Sequence, residues 1–247
     1  MVNNISYYIL SAVAVLITLT VHEYCHGYAA YKLGDPTAKS LGRLTLNPIK
    51  HIDPFGAICM ILFRFGWAKP VPINPRYFKK PKRDIAITSL AGPLSNLVMA
   101  FISGLLYLLI YAGVKDVAFS SRLLFNLVKN TLDFILILHA VNIGITVFNL
   151  IPLPPLDGSK ILGALLPTRA YIAFMRNERR IYWILLGWLL LGDFAARTLL
   201  SIPFIASTPP LAAIAEIFSL SGLIGRLIDL ISNLILSFWQ LIPYLKI

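Results

Sequence analysis

Apolar residues run almost unbroken over about 7–31, 85–113, 131–151, 181–202 and 211–240, with polar, proline-bearing stretches between them. Each run approaches or exceeds the roughly 20 residues that a helix needs to cross a hydrocarbon core about 30 Å thick. The pattern predicts an all-α polytopic membrane protein of about five transmembrane helices. Neither an internal repeat nor a soluble module interrupts it, so residues 1–247 read as a single domain. The stretch Gly66-Trp67-Ala68-Lys69-Pro70-Val71-Pro72-Ile73-Asn74-Pro75 cannot be helical, because three prolines in six residues remove donors and force extended backbone. A short extended, hairpin or re-entrant segment is therefore expected near 64–80. It either borders a site at membrane depth, where irregular backbone must be covered or face a wet cavity, or is a plain cytosolic loop.

Two runs carry polar stripes. In the second, Ser89, Gly92, Asn96, Ala100 and Ser103 recur at steps of three or four, a spacing that lets helices approach closely. Asn96 is also a candidate accessory residue of a polar site. In the last, Glu216, Arg226, Asp229, Asn233 and Gln240 fall near one stripe. That helix either lies at the interface or crosses with the stripe turned inward.

Composition agrees: 57% of residues are apolar and 13% charged, and the mean hydropathy is +0.75. The net charge of +11 does not indicate nucleic acid, because the basic residues sit between the apolar runs. Eleven Lys or Arg lie between Lys32 and Arg83, three between Lys115 and Asn130, and none in residues 1–6. The positive-inside rule then places 32–83 and 152–180 in the cytoplasm and the N-terminus outside. The first run lacks a basic n-region and is read as a retained span, not a signal peptide. Cys25 and Cys59 form no disulfide framework.

The chemistry sits inside the first run. His22-Glu23-Tyr24-Cys25-His26 is an H-E-x-x-H motif, which on a helix sets two imidazoles one turn apart to grip zinc, with the glutamate beside them as general base. It holds two of the four histidines and one of the three glutamates, in a helix where ionisable groups are costly. At about 1.5 Å per residue from Tyr7, His22 lies roughly 22 Å along the span, in the cytoplasmic half. A third ligand must reach that depth from another helix. Asp157 fits, because the third run ends at Asn149-Leu150-Ile151-Pro152-Leu153-Pro154-Pro155-Leu156-Asp157-Gly158, where prolines stop the helix near the cytoplasmic face. A helix N-cap is the structural alternative for Asp157, compatible with ligation. His139, Asn142, Thr146 and Asn149 form an inward polar stripe, from which Asn149 could hold a substrate carbonyl or only bond between helices. His139 reads as a satisfied buried histidine. His51 is either an accessory site residue or orders its loop.

The motifs His22–His26, Ala91-Gly92-Pro93-Leu94-Ser95-Asn96 and Asn149 through Asp157-Gly158 resemble those of the site-2 protease family of intramembrane zinc metalloproteases, in its compact prokaryotic form without PDZ or CBS domains. The resemblance covers about 7–166, which would be the catalytic core, with C-terminal helices at about 181–245. It implies one Zn2+ per chain on His22, His26 and Asp157, Glu23 as catalytic base and acid, and Asn149 near the substrate. It further implies a multi-pass protein of a prokaryotic cell membrane that cleaves single-span or membrane-anchored proteins, the 66–75 segment holding the unwound substrate by strand addition. Two other functions fit the ligands: a membrane metal-ion transporter, which leaves Glu23 without a purpose, and an inactive scaffold that binds membrane segments.

Overall fold

A computed structural model of the chain describes residues 4–56, 68–212 and 219–245. Its helices are α1 (Asn4–Lys32), α2 (Thr37–Ser40), α3 (Pro81–Val114), α4 (Arg122–Leu150), α5 (Asp157–Leu165), α6 (Thr168–Arg176), α7 (Glu178–Leu200), α8 (Pro203–Ala206) and α9 (Leu220–Trp239), and no strand occurs among the described residues. Among those residues α1, α3, α4 and α9 are long and apolar enough to cross a membrane. A fifth span results if α7, bent by 43° between Glu178–Leu189 and Phe194–Leu200, is counted whole. The expected all-α bundle of about five spans is thus present.

Local chemistry sets the boundaries that matter for the site. α1 ends where Gly34 takes the left-handed conformation (φ 107°) and the Asp35 amide donates back to Ala30 O at 2.9 Å. α4 stops before Pro152. The chain then turns tightly through Leu153 N–H to Ile151 O (2.8 Å) and Leu156 N–H to Leu153 O (3.0 Å), so that α5 starts at Asp157. Gly158 makes that turn possible: a Cβ there would collide with the carbonyl oxygens of Leu150 and Ile151. Pro93 lies inside α3, where it removes one helical N–H.

α3 is the hub, packed against α1, α4, α5 and α9. Its Ala100 meets Ile143, Val147 and Ile235 in an apolar cluster flanked by Phe101, Ile228, Ile231 and Trp239, and the Trp239 indole N–H donates to Phe101 O at 3.0 Å. α9 therefore turns its apolar face inward. Arg226, Asp229 and Asn233 are exposed on its other side, which corrects the inward-stripe expectation: the wide apolar face wins the contact with α3 and α4. Glu216 lies outside the described residues, as does Cys59.

Polar groups gather inside the bundle beside its apolar clusters, while large apolar side chains face outward. Thr18, His22, His26, Thr88, Asn96, Ser103, His139, Asn142 and Asp157 are buried, while Ile9, Leu94, Val98, Ile102 and Leu106 are exposed. Water would punish that arrangement and lipid favours it, because hydrocarbon solvates the outer face and drives polar groups to one another.

Candidate metal centre

α1 holds His22 and His26 one turn apart, with ring centroids 4.5 Å apart and planes at 89°. Asp157 arrives from the first turn of α5, more than 130 residues later. Its Oδ2 lies 3.2 Å from His22 Nε2 and 3.0 Å from His26 Nε2, and the two Nε2 atoms are 3.0 Å apart. All three side chains are buried. No N-cap role competes for the carboxylate, because Leu156 occupies the cap position and no side chain caps the helix. The other carboxylate oxygen, Oδ1, receives a hydrogen bond from Lys160 Nζ at 3.2 Å, so Oδ2 is the oxygen turned to the rings. Burial pushes the Asp157 carboxyl up. The hydrogen bonds to His22 and His26, with Lys160 beside them, outweigh it and hold the group well below the usual carboxylate range.

These atoms fit zinc. Bonds of about 2.0–2.1 Å at tetrahedral angles set ligand atoms roughly 3.3 Å apart, close to the observed triangle. His26, whose Nδ1–H donates to Thr88 O, turns its Nε2 lone pair to the centre beside Asp157 Oδ2, and a His22 ring with Nε2 unprotonated would add a third lone pair, a buried donor set that suits a cation.

The histidines are supported from α3. His26 Nδ1–H donates to Thr88 O at 2.7 Å, and Asn96 Nδ2 lies 3.0 Å from His22 Nδ1. Between them Gly92 leaves the space the rings occupy: a Cβ there would lie 2.5 Å from His26 Cε1 and Nε2 and 2.7 Å from His22 Cε1. Gly92 and Asn96, read from sequence as part of a packing stripe with Asn96 also an accessory candidate, thus lie against the candidate ligands, and Thr88, outside that stripe, joins them. A glycine midway between polar residues eight apart was the available signal.

Glu23, in the same turn as His22, is tied to the irregular segment 68–74. Its Oε2 accepts the Val71 N–H at 2.7 Å, and Val71 Cγ1 would be 3.0 Å from a Cβ at Gly27. Three anchors hold this strap. Ala68 bridges antiparallel to Ile52, Arg43 Nη2 donates to Lys69 O at 2.9 Å, and the Asn74 N–H reaches buried Asp35 Oδ2 at 2.7 Å. Asp35→Ala removes that last acceptor, together with the acceptor of the Thr37 N–H and hydroxyl, and is expected to cost about 1–3 kcal/mol. A lowered melting temperature with faster proteolysis at 68–77, and unchanged zinc content, is the expected reading.

The remaining candidates do not join the cluster. His51 is buried with Nε2 donating to Thr45 O at 2.8 Å, and its own carbonyl accepts Lys69 N–H at 2.9 Å, so it ties the loop to the strap. His139 donates through Nδ1 to Ala100 O (2.8 Å) and pairs through Nε2 with Ser232 (2.9 Å). Asn149 turns its amide nitrogen to Ile145 O on its own helix at 3.0 Å. Cys25 is a free thiol, half-buried.

Helices of membrane length enclosing a histidine pair, an adjoining glutamate and an aspartate within bonding reach of both rings define a membrane metalloprotease. The chain belongs to peptidase family M50, the site-2 protease family, whose profile matches residues 10–192. It is 46% identical over 157 residues to "Putative zinc metalloprotease YwhC" of Bacillus subtilis, a match covering 63% of this chain and 68% of the relative. It is 31% identical over 166 residues to "Putative zinc metalloprotease Rip2" of Mycolicibacterium smegmatis, covering 65% and 57%, and 29% identical over 150 residues to Rip2 of Mycobacterium tuberculosis, covering 58% and 52%. No solved structure matches significantly. The chain is thus a multi-pass membrane metalloprotease with zinc as its cofactor.

Proposed function

We propose that this protein is an intramembrane endopeptidase that cuts transmembrane segments of single-span or membrane-anchored proteins, with one zinc on His22, His26 and Asp157 and with Glu23 as general base and acid. The observation that carries this reading is the buried three-donor cluster, 3.0–3.2 Å between atoms, inside helices of membrane length. Zinc, when bound, supplies a Lewis acid that acidifies water and polarises a carbonyl. The rest falls to the chain. Glu23 takes a proton from the attacking water and delivers it to the amide nitrogen as the C–N bond breaks. Its Oε2 is fixed by the Val71 N–H, which orients the carboxylate and leaves Oε1 for proton transfer. Lys160 and the Gly158 turn hold Asp157 in place.

A helical substrate hides its carbonyls in internal hydrogen bonds and must unwind before attack. The strap offers extended backbone beside Glu23, so an unwound segment can pair with it as an added strand. Asn149 Oδ1 and Nδ2, at the end of the buried polar stripe of α4, are assigned to the substrate or its oxyanion. His51 and Asn96 act as accessory residues, through the strap and the ligands respectively. The whole chain forms one domain, with its core at about 7–166. The basic 32–83 stretch faces the cytoplasm, which puts the N-terminus outside and the centre in the cytoplasmic half.

The test uses purified full-length protein with candidate single-span substrates. Stripping the metal with a chelator should abolish cleavage, and one equivalent of zinc should restore it. Metal flux into proteoliposomes with no cleavage of any substrate would replace the protease by a transporter.

A further inference from the structure

Asn96 takes no part in the bond-making and bond-breaking steps above, yet it is wholly buried and its carboxamide sits 3.0 Å from His22 Nδ1. Its Oδ1 is buried without a hydrogen-bond partner. Across the cluster, His26 shows what a metal-binding imidazole needs: Nδ1–H donates to an oxygen, Thr88 O at 2.7 Å, and the Nε2 lone pair is left for the shared centre. His22 has the same Nε2 orientation, and Asn96 stands where Thr88 O stands for its neighbour, eight residues further along the same face of α3.

As arranged, the Asn96 N–H donates to Nδ1, which leaves the His22 proton on Nε2, facing Asp157. A proton there blocks ligation. The two ends of a carboxamide are nearly isosteric, so a half-turn about the terminal bond exchanges oxygen and nitrogen without moving either helix. The turn preserves the number of hydrogen bonds and changes only which group donates.

We infer that Asn96 is a positioning residue of the metal centre: its carboxamide oxygen accepts the His22 Nδ1–H and holds the ring in the tautomer whose Nε2 lone pair faces the metal. This inference rests on His22 being a ligand. It also explains why an amide, which can present either an acceptor or a donor, occupies the place: the centre is bonded both with its metal and without it. A hydroxyl-free packing residue would satisfy neither state.

The experiment compares zinc dissociation constants, by chelator competition on the full chain in detergent, for wild type, Asn96→Asp and Asn96→Leu. Aspartate keeps an acceptor and leucine keeps the volume. Asn96→Leu should weaken zinc binding about 10- to 100-fold, while Asn96→Asp stays within a few-fold of wild type. Wild-type affinity in Asn96→Leu, or equal losses in both, overturns the inference. Should either variant fail to fold, histidine-labelled wild type decides: nitrogen NMR of the zinc-loaded chain should show a proton on His22 Nδ1, and a bare Nδ1 overturns it. Zinc held as tightly by His22→Ala as by wild type would instead remove the ligand reading itself.

Discussion

Glu23→Gln is expected to keep its zinc and lose its protease activity, with the cleavage rate falling by about 10²- to 10⁴-fold, the usual contribution of a positioned general base. Glutamine preserves the volume and still offers an oxygen to the Val71 N–H, which Glu23 Oε2 accepts at 2.7 Å. The strap therefore stays seated. The three donor atoms proposed for the metal belong to His22, His26 and Asp157, so the substitution leaves them untouched. What disappears is a group able to take a proton from water and pass it to the departing nitrogen. Equal zinc content and absent cleavage of a single-span substrate would together separate a protease from a metal carrier. Undiminished cleavage in the zinc-loaded variant would remove Glu23 from the mechanism.

Gly92→Ala should do the opposite and empty the centre. The new methyl would lie 2.5 Å from two atoms of the His26 ring and 2.7 Å from the His22 ring, well inside van der Waals contact. Neither ring has an easy retreat, since His26 is tied to Thr88 O and His22 lies against Asn96. Alanine is otherwise favoured over glycine inside a helix by about 1 kcal/mol, so α3 itself gains. A folded, thermally intact protein whose zinc affinity has dropped at least about tenfold is the expected outcome. Stoichiometric zinc with unchanged affinity would show that the rings and α3 are not in register as described.

Much of this was legible in the sequence because lipid imposes strict rules. Runs of about 20 apolar residues predict the helices, and the ionisable cluster His22–Glu23–His26 stands out against them. Asp157 was found from proline punctuation, since Pro152, Pro154 and Pro155 end α4 where the histidines need a partner. The contacts of α3 with the rings were not legible. Periodicity says that Thr88, Gly92 and Asn96 share a face, but not which helix that face meets, and small residues serve close packing equally well. The sequence leaves the α9 stripe open between an interfacial and an inward-facing helix for a related reason: polar residues do not say which face makes the contact, and here the isoleucines opposite them do. Val71 on Glu23 escaped too, because a main-chain donor leaves no trace in side-chain identity.

His22 and Asp157 are separated by 135 positions, and the carboxylate enters only after α4 and the proline turn are complete. A ribosome must therefore deliver most of the bundle to the bilayer before the three donors can meet. On the proposed ligand set, a half-inserted chain would carry the histidines and the glutamate but not the aspartate, and would lack the third donor for the metal.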